Sequence, residues 1–320
     1  MLIVAGAVAG VAAVSATVVV VNQLTAPAPH VEAVPTATSG PRQPGATIAP
    51  DPGPTSGAGI AEPFAGTTPQ AGQYLRITTN EEVLIYRGPD DEVYQWSFRR
   101  HGAPAPLSAV LIHSVSGLYM PADRAGEWYS SHGPMNERVA LYPGGDGAAW
   151  DSLLPIGPES PLKPSLGGIP GEGGVPFGGL ESYAEYPADA HELLGYLDDR
   201  AVASGRVADG VRDYVVDAVL GVVRSNIAPA QTRATFLDAL KLLEETEVVS
   251  VSGGITTYRV QYGQSGLPHT VTISVDAATG WTTEYSIRWG RTEGATGDMV
   301  PTSVPDIHWT YEVSIVDALP

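Results

Sequence analysis

The sequence predicts an α+β fold, one antiparallel sheet with three helices packed on one side, preceded by a single transmembrane helix. Three observations predict it. Short runs rich in Val, Ile, Tyr and Trp, separated by turn clusters, fill the chain from Gln73 onward and return after Val248. Between them, Asp189 to Leu243 repeats its apolar residues at helical spacing. Leu2 to Val21 is an uninterrupted uncharged, mostly apolar stretch. Strands, then helices, then strands is the order of α+β domains rather than of alternating βαβ units.

Leu2–Val21 comes first. At 1.5 Å per residue it reaches roughly 30 Å, the thickness of a bilayer core. A secretory signal would have a basic n-region and a small-residue cleavage site. Here the first basic residue is Arg42, and the nearest small-x-small triplet, Ala26-Pro27-Ala28, has proline at its centre. Residues 1–22 are therefore expected to stay as an anchor in the cytoplasmic membrane. Residues 23–70 follow as a disordered Pro/Gly-rich stalk, since ten prolines and four charged residues between Asn22 and Gln70 leave no apolar periodicity to bury.

The folded domain is expected over 71–320. Gln73–Thr79, Val83–Arg87, Val93–Arg99 and Ala109–Ser114 read as strands, with Gly88-Pro89-Asp90-Asp91 at a hairpin tip. Residues 143–179, with PGGDGAAW and GPESPLKPSLGGIPGEGGVPFGG, read as a loose Gly/Pro-rich loop. Asp189-Ala190-His191-Glu192 has capping-box spacing, so a helix starts there with Leu193, Leu194, Leu197 and Ala201 as its stripe. Val211, Tyr214, Val215, Ala218 and Val222 mark a second helix. Pro229 opens a third, with Phe236, Leu237, Leu240 and Leu243. Strands resume at Val248–Val251 and Thr257–Tyr262 around Gly253-Gly254. His269–Val275 and Trp281–Trp289 flank the turn Asp276 to Gly280, and Ile307–Val316 closes the sheet.

Composition excludes whole classes of chemistry. Net charge is −18, from 35 acidic and 17 basic residues, so the surface repels nucleic-acid phosphates. Absence of cysteine removes disulfides, thiolate metal sites and a cysteine nucleophile together. The seven histidines, His30, His101, His113, His132, His191, His269 and His308, show no zincin spacing. His113 with Ser114, or His132 with Ser131, could enter a triad only by chance proximity. Gly144 to Gly147 lacks the alternating oxygen ligands of a calcium loop. Asp90-Asp91-Glu92 and Asp198-Asp199 are adjacent in sequence and point apart on any regular element, which suits acid–base pairing poorly. No residue is expected to be catalytic or to hold a cofactor or metal. Trp96 and Trp128 are expected in the core.

AGQYLRITT, YQW, LYMPADRAGEWYSS, YPADAHELLGYLDDRA, APAQTRATFLDALKLLEE and SVDAATGWTTEY, in that order, resemble a family of uncharacterised membrane-anchored actinobacterial proteins. The Arg-over-Lys, Ala/Gly/Val/Pro-rich composition agrees with a high-GC genome. These proteins are similar to the extracytoplasmic parts of anti-sigma-factor-like regulators, and the resemblance spans Gln73 to Tyr285 plus the anchor. It implies a non-catalytic extracytoplasmic sensing or binding domain, tied to envelope stress or sigma-factor regulation, with an extracytoplasmic ligand or protein partner. The strand–helix–strand order also resembles periplasmic lipoprotein-carrier folds. That implies the alternative: a lipid or lipoprotein carrier holding an acyl chain between sheet and helices. An apolar cavity there would favour the carrier, and a filled interface the sensor.

Overall fold

Fourteen-residue strands β1 (Tyr74–Arg87) and β3 (Ser108–Pro121) pair along their whole length, and the sheet is built outward from that ladder. The computed structural model describes residues 63–96, 104–143, 147–165, 183–206, 208–263, 268–290 and 299–320. The expected anchor Leu2–Val21 and most of the expected stalk lie outside these, as does much of the second half of the 143–179 stretch. No helix among the described residues is long and apolar enough to cross a membrane.

Along the chain follow β2 (Val93–Tyr94), β4 (Trp128–His132), β5 (Glu137–Tyr142), the short helix α1 (Ala148–Leu153) and β6 (Ser160–Ser165). Helices α2 (Ala190–Ala203), α3 (Ala208–Ser225) and α4 (Ala230–Leu242) come next. Five more strands finish the fold: β7 (Thr246–Ser252), β8 (Ile255–Tyr262), β9 (His269–Asp276), β10 (Thr282–Arg288) and β11 (Ile307–Val316). The order across the sheet is β6-β4-β3-β1-β11-β10-β9-β8-β7, with β2 added to β1 and β5 to β3. Every pairing is antiparallel. The chain is thus a mixed α+β fold with one large antiparallel sheet. The first and last strands of the sheet, β1 and β11, pair from Tyr74 opposite Val316 to Val83 opposite Ile307.

Three expectations need correction. Gln73–Thr79 and Val83–Arg87 are one strand, because the intervening Asn80-Glu81-Glu82 faces partners across the sheet instead of turning. Glu81 accepts the Trp309 indole N–H at 2.8 Å, and Glu82 lies 3.4 Å from His308. Of Val93–Arg99, Val93–Tyr94 is strand and Trp96 turns its indole N–H to the Gly290 carbonyl at 3.1 Å and buries its ring, while 97–99 lie outside the described residues. The stretch 143–179 is not one loose loop, since it contains α1, which buries Trp150, and β6, which pairs with β4. The strands β4 and β5 fill the segment between Trp128 and Tyr142, where no strand was expected.

Alternation along the long strands explains the two-sided core. Leu75, Ile77, Val83 and Ile85 face the helices with Val110, Ile112 and Met120, whereas Leu84, Tyr86, Ala109 and Leu111 face the opposite side under Trp96 and Val300. Helix α2 starts where its cap predicts: Asp189 Oδ1 accepts the His191 and Glu192 amides at 2.8 and 3.0 Å. Leu193, Leu197 and Ala201 are its buried stripe. Helix α3 is different in kind. From Tyr214 to Val223 it is buried almost all round, the mark of a helix enclosed on several sides. Phe236, Leu237 and Leu240 of α4 complete the layer.

The packed chain begins before β1. Phe64 lies against Gly280, whose Cα leaves no room for a side chain there, and Thr67 is buried.

Candidate functional site

The histidine–serine pairs fail on strand geometry. His113 and Ser114 are consecutive on β3 and so project to opposite faces. His113 Nδ1 lies 3.5 Å from Glu137 across the ladder, while Ser114 Oγ accepts the Asn136 amide at 3.1 Å. His132 and Ser131 stand in the same relation on β4. Burial, then the nearby Lys163 charge, pushes His132 below its ordinary value, which favours the neutral ring. His308 bridges β1 and β10, with Nε2 2.9 Å from Glu284 and Nδ1 3.4 Å from Glu82. His269 packs edge-on against Tyr262. Asp90 and Asp91 form a turn in which Asp91 pairs with Arg87 at 2.5 Å, and Asp198, Asp199, His191 and Glu192 are exposed on α2. His30, His101 and residues 144–146 lie outside the described residues. No group of three or more His, Asp or Glu side chains suited to a metal ion occurs among the described residues.

What the sequence concealed is a buried polar centre. Arg224, on the last turn of α3, is 8% exposed and stacks its guanidinium over the rings of Tyr285 and Trp309, 5.2 and 5.0 Å from their centroids. Glu81 receives the Trp309 indole, and Asp217 receives the Tyr262 hydroxyl at 2.6 Å. Burial raises both carboxyls above their ordinary values, against the lowering effect of those hydrogen bonds and of the Arg224 charge. One cation facing two acids ties α3 to strands β1, β8, β10 and β11. The available signal was an arginine closing the apolar run Ala218 to Val223 of α3.

The two edges of the sheet are unlike. Strand β6 carries Pro161, Lys163 and Pro164, residues that discourage further pairing. Among the described residues strand β7, TEVVSVS, ends the sheet at the other side, with neither Pro nor Lys. Its register breaks between Val248 and Ser250, so Val249 is the additional residue of a bulge. Val248 then stands beside Tyr258 and Val251 beside Thr256, two residues apart on β8 and hence on one face. That face continues through buried Tyr258 and Val260 into the core, yet Val248 is 57% and Val251 71% exposed. The apolar face of the sheet runs out beyond the helices that cover it.

Charge borders this edge. A surface depression is lined by Glu244, Glu245, Thr246, Glu247 and Gln261. Arg212 grips Glu245 with both Nε and Nη2 at 2.5 Å, and Arg259 pairs with Glu247 at 2.7 Å. Burial pushes the Glu245 carboxyl up, but the Arg212 fork outweighs it and holds the group below its ordinary value. No protein-family model, curated protein or solved structure matches the chain.

Proposed function

We propose that the chain is a non-catalytic, single-pass membrane protein whose α+β domain lies outside the cytoplasmic membrane and binds an extended segment of another protein at β7. The observation that carries this reading is the open β7 edge. It presents main-chain donors and acceptors beside exposed Val248 and Val251, the two elements that strand addition requires. The partner segment is cationic: a net charge of −18 attracts it and repels a second copy of this chain. Capture of such a segment would be the sensing event in a regulator of the anti-sigma-like kind.

The carrier alternative has the layered arrangement in its favour and the interior against it. The space an acyl chain needs between sheet and helices is taken by Trp128, Phe236, Leu240, Tyr285, Trp309 and the Arg224 guanidinium.

A photo-crosslinking residue at Val249 tests the docking edge in living cells, with Val202, exposed on α2, as comparator. A discrete heterologous adduct from position 249, abolished by Val251→Lys, supports the reading. Adducts equal at both positions, or a product of twice the chain mass, refute it. The compartment is tested by a C-terminal tag: protease added to intact cells removes it if the domain is outside, and spares it if the topology is reversed.

A further inference from the structure

Ahead of β1, residues 63–69 lie on the start of α4 and on the β9–β10 turn. The Phe64 ring rests on Gly280, where a Cβ would overlap it, so only glycine makes this seat. Arg233 of α4 places its guanidinium 5.6 Å from the Phe64 centroid and 5.8 Å from that of Trp281. Its Nη2 donates to the Thr67 hydroxyl at 2.6 Å, and that hydroxyl donates in turn to the Phe64 carbonyl at 2.7 Å. Arg233 is itself held by the carbonyls of Ala228 at 2.7 Å and Thr279 at 3.2 Å. The contact thus has two complementary halves. The domain offers a glycine floor, an arginine fork and an indole, and the segment offers a ring with a hydroxyl three residues on.

Several features oppose this closed state. Phe64 is a non-glycine residue at φ 54°, a conformation that costs any residue with a Cβ. Arg233 is 2% exposed with no carboxylate partner among the described residues, and burial pushes its guanidinium down to about 10. Arg233 Nε and Trp281 Nε1 are buried without acceptors. Within the segment only Thr67 and Pro69 are buried, while Ala65, Gly66 and Thr68 are exposed. The chain just after it is fixed separately. Gln73 closes a turn with Gln70 through bonds of 2.8 and 2.9 Å and donates to Asp317 at 2.9 Å. Residues 63–69 can therefore lift away while that turn and β1 stay in place.

We infer that Gly280, Arg233 and Trp281 form a peptide-binding site for a Phe-x-x-Thr segment, and that residues 63–69 are its tethered, releasable ligand. The ring is selected by the glycine floor and the guanidinium. The hydroxyl is selected because it must accept from Arg233 and donate to the preceding carbonyl at once. Closure is maintained by the tether, which keeps the segment at a millimolar effective concentration. Release rehydrates Arg233, uncovers Trp281, and frees a length of chain that reaches roughly 25 Å when extended. It thereby changes where the chain ahead of residue 63 leaves the domain. The site stands independently of the β7 edge.

The test uses the purified full chain in detergent and a fluorescent peptide, PFAGTTPQ, copied from residues 63–70 and titrated by anisotropy. Phe64→Ala empties the ring seat, so this variant should bind the probe saturably, with a Kd of about 0.1–1 mM. The parent chain should bind it at least about tenfold more weakly, because its own segment competes. A probe with alanine in place of its phenylalanine should not bind. Arg233→Lys, added to Phe64→Ala, keeps the charge but loses the fork and should weaken binding about tenfold. Hydrogen exchange on the parent chain gives a second readout without any variant. The Thr67 amide, bonded to the Phe64 carbonyl at 3.2 Å, should exchange at least about a hundredfold faster than that of Ile77 in β1. Absence of saturable binding to Phe64→Ala, equal binding of both probes, or Thr67 exchange no faster than that of Ile77 would overturn the inference. Failure of Phe64→Ala to fold would overturn it too, since a releasable segment is not required for folding.

Discussion

Asn226 is the residue at which the helical layer is fastened to the sheet, and its replacement tests how the two are joined. It follows α3 with φ 59°, is completely buried, and pairs its amide with the backbone of Thr282. Oδ1 accepts the Thr282 N–H at 2.7 Å and Nδ2 donates to the Thr282 carbonyl at 2.9 Å. The β9–β10 register breaks between Thr282 and Glu284, so the side-chain amide supplies Thr282 with a partner where the ladder shifts. Asn226→Ala leaves a buried N–H and a buried C=O unsatisfied, at about 1–3 kcal/mol each. The left-handed backbone conformation adds about 1 kcal/mol for a residue with a Cβ. The expected loss is therefore about 3–7 kcal/mol, read as a shift of the urea midpoint at constant m. Asn226→Gly should recover only the backbone part, about 1 kcal/mol. A loss under about 1 kcal/mol on Asn226→Ala, or full recovery with glycine, would show that the paired amide does not join the layers.

Trp128→Ala should cost about 3–5 kcal/mol by the same assay, since the ring is wholly buried and its N–H reaches the Arg124 carbonyl at 2.9 Å; a loss below about 1 kcal/mol would place it outside the core. Glu81 and Asp217 predict a pH dependence. Their folded pKa values are raised above the ordinary 4.5 and 3.8, so over that window the folded state binds more protons than the unfolded state. Their contribution is fully present below the ordinary values and is lost as pH rises through the folded ones. The urea midpoint of Asp217→Asn should thus fall less steeply with rising pH than that of the parent chain, and an unchanged slope would refute the assignment.

Local signals were legible wherever a few neighbouring residues decide the structure. Asp189 caps α2 as its spacing indicates, and Asp276 nucleates the β9–β10 turn by accepting the Ala278 and Thr279 amides, with Gly280 at φ 66° closing it. Long-range partners hid the rest. Asn80-Glu81-Glu82 looks like a turn until Trp309 and His308, more than two hundred residues away, supply its cross-strand contacts. Arg124 and Arg233 are ordinary arginines in sequence, and only the fold buries them, one over Tyr183 and the other under Phe64 and Trp281. The β7 edge is recognisable as a strand in the sequence, but its exposure depends on a bulge and on where α4 ends. Neither is encoded in the apolar pattern of TEVVSVS.

Strand addition makes a main-chain prediction that does not require knowing the partner. Amide hydrogen exchange over Thr246–Ser252 should be measured on the purified full chain and on the same chain in isolated native membranes, with Ser160–Ser165 at the opposite edge as internal reference. Docking at β7 predicts fast exchange in the purified chain, slow exchange in membranes, loss of that protection with Val251→Lys, and no change at β6. Equal exchange over β7 in both preparations would contradict it.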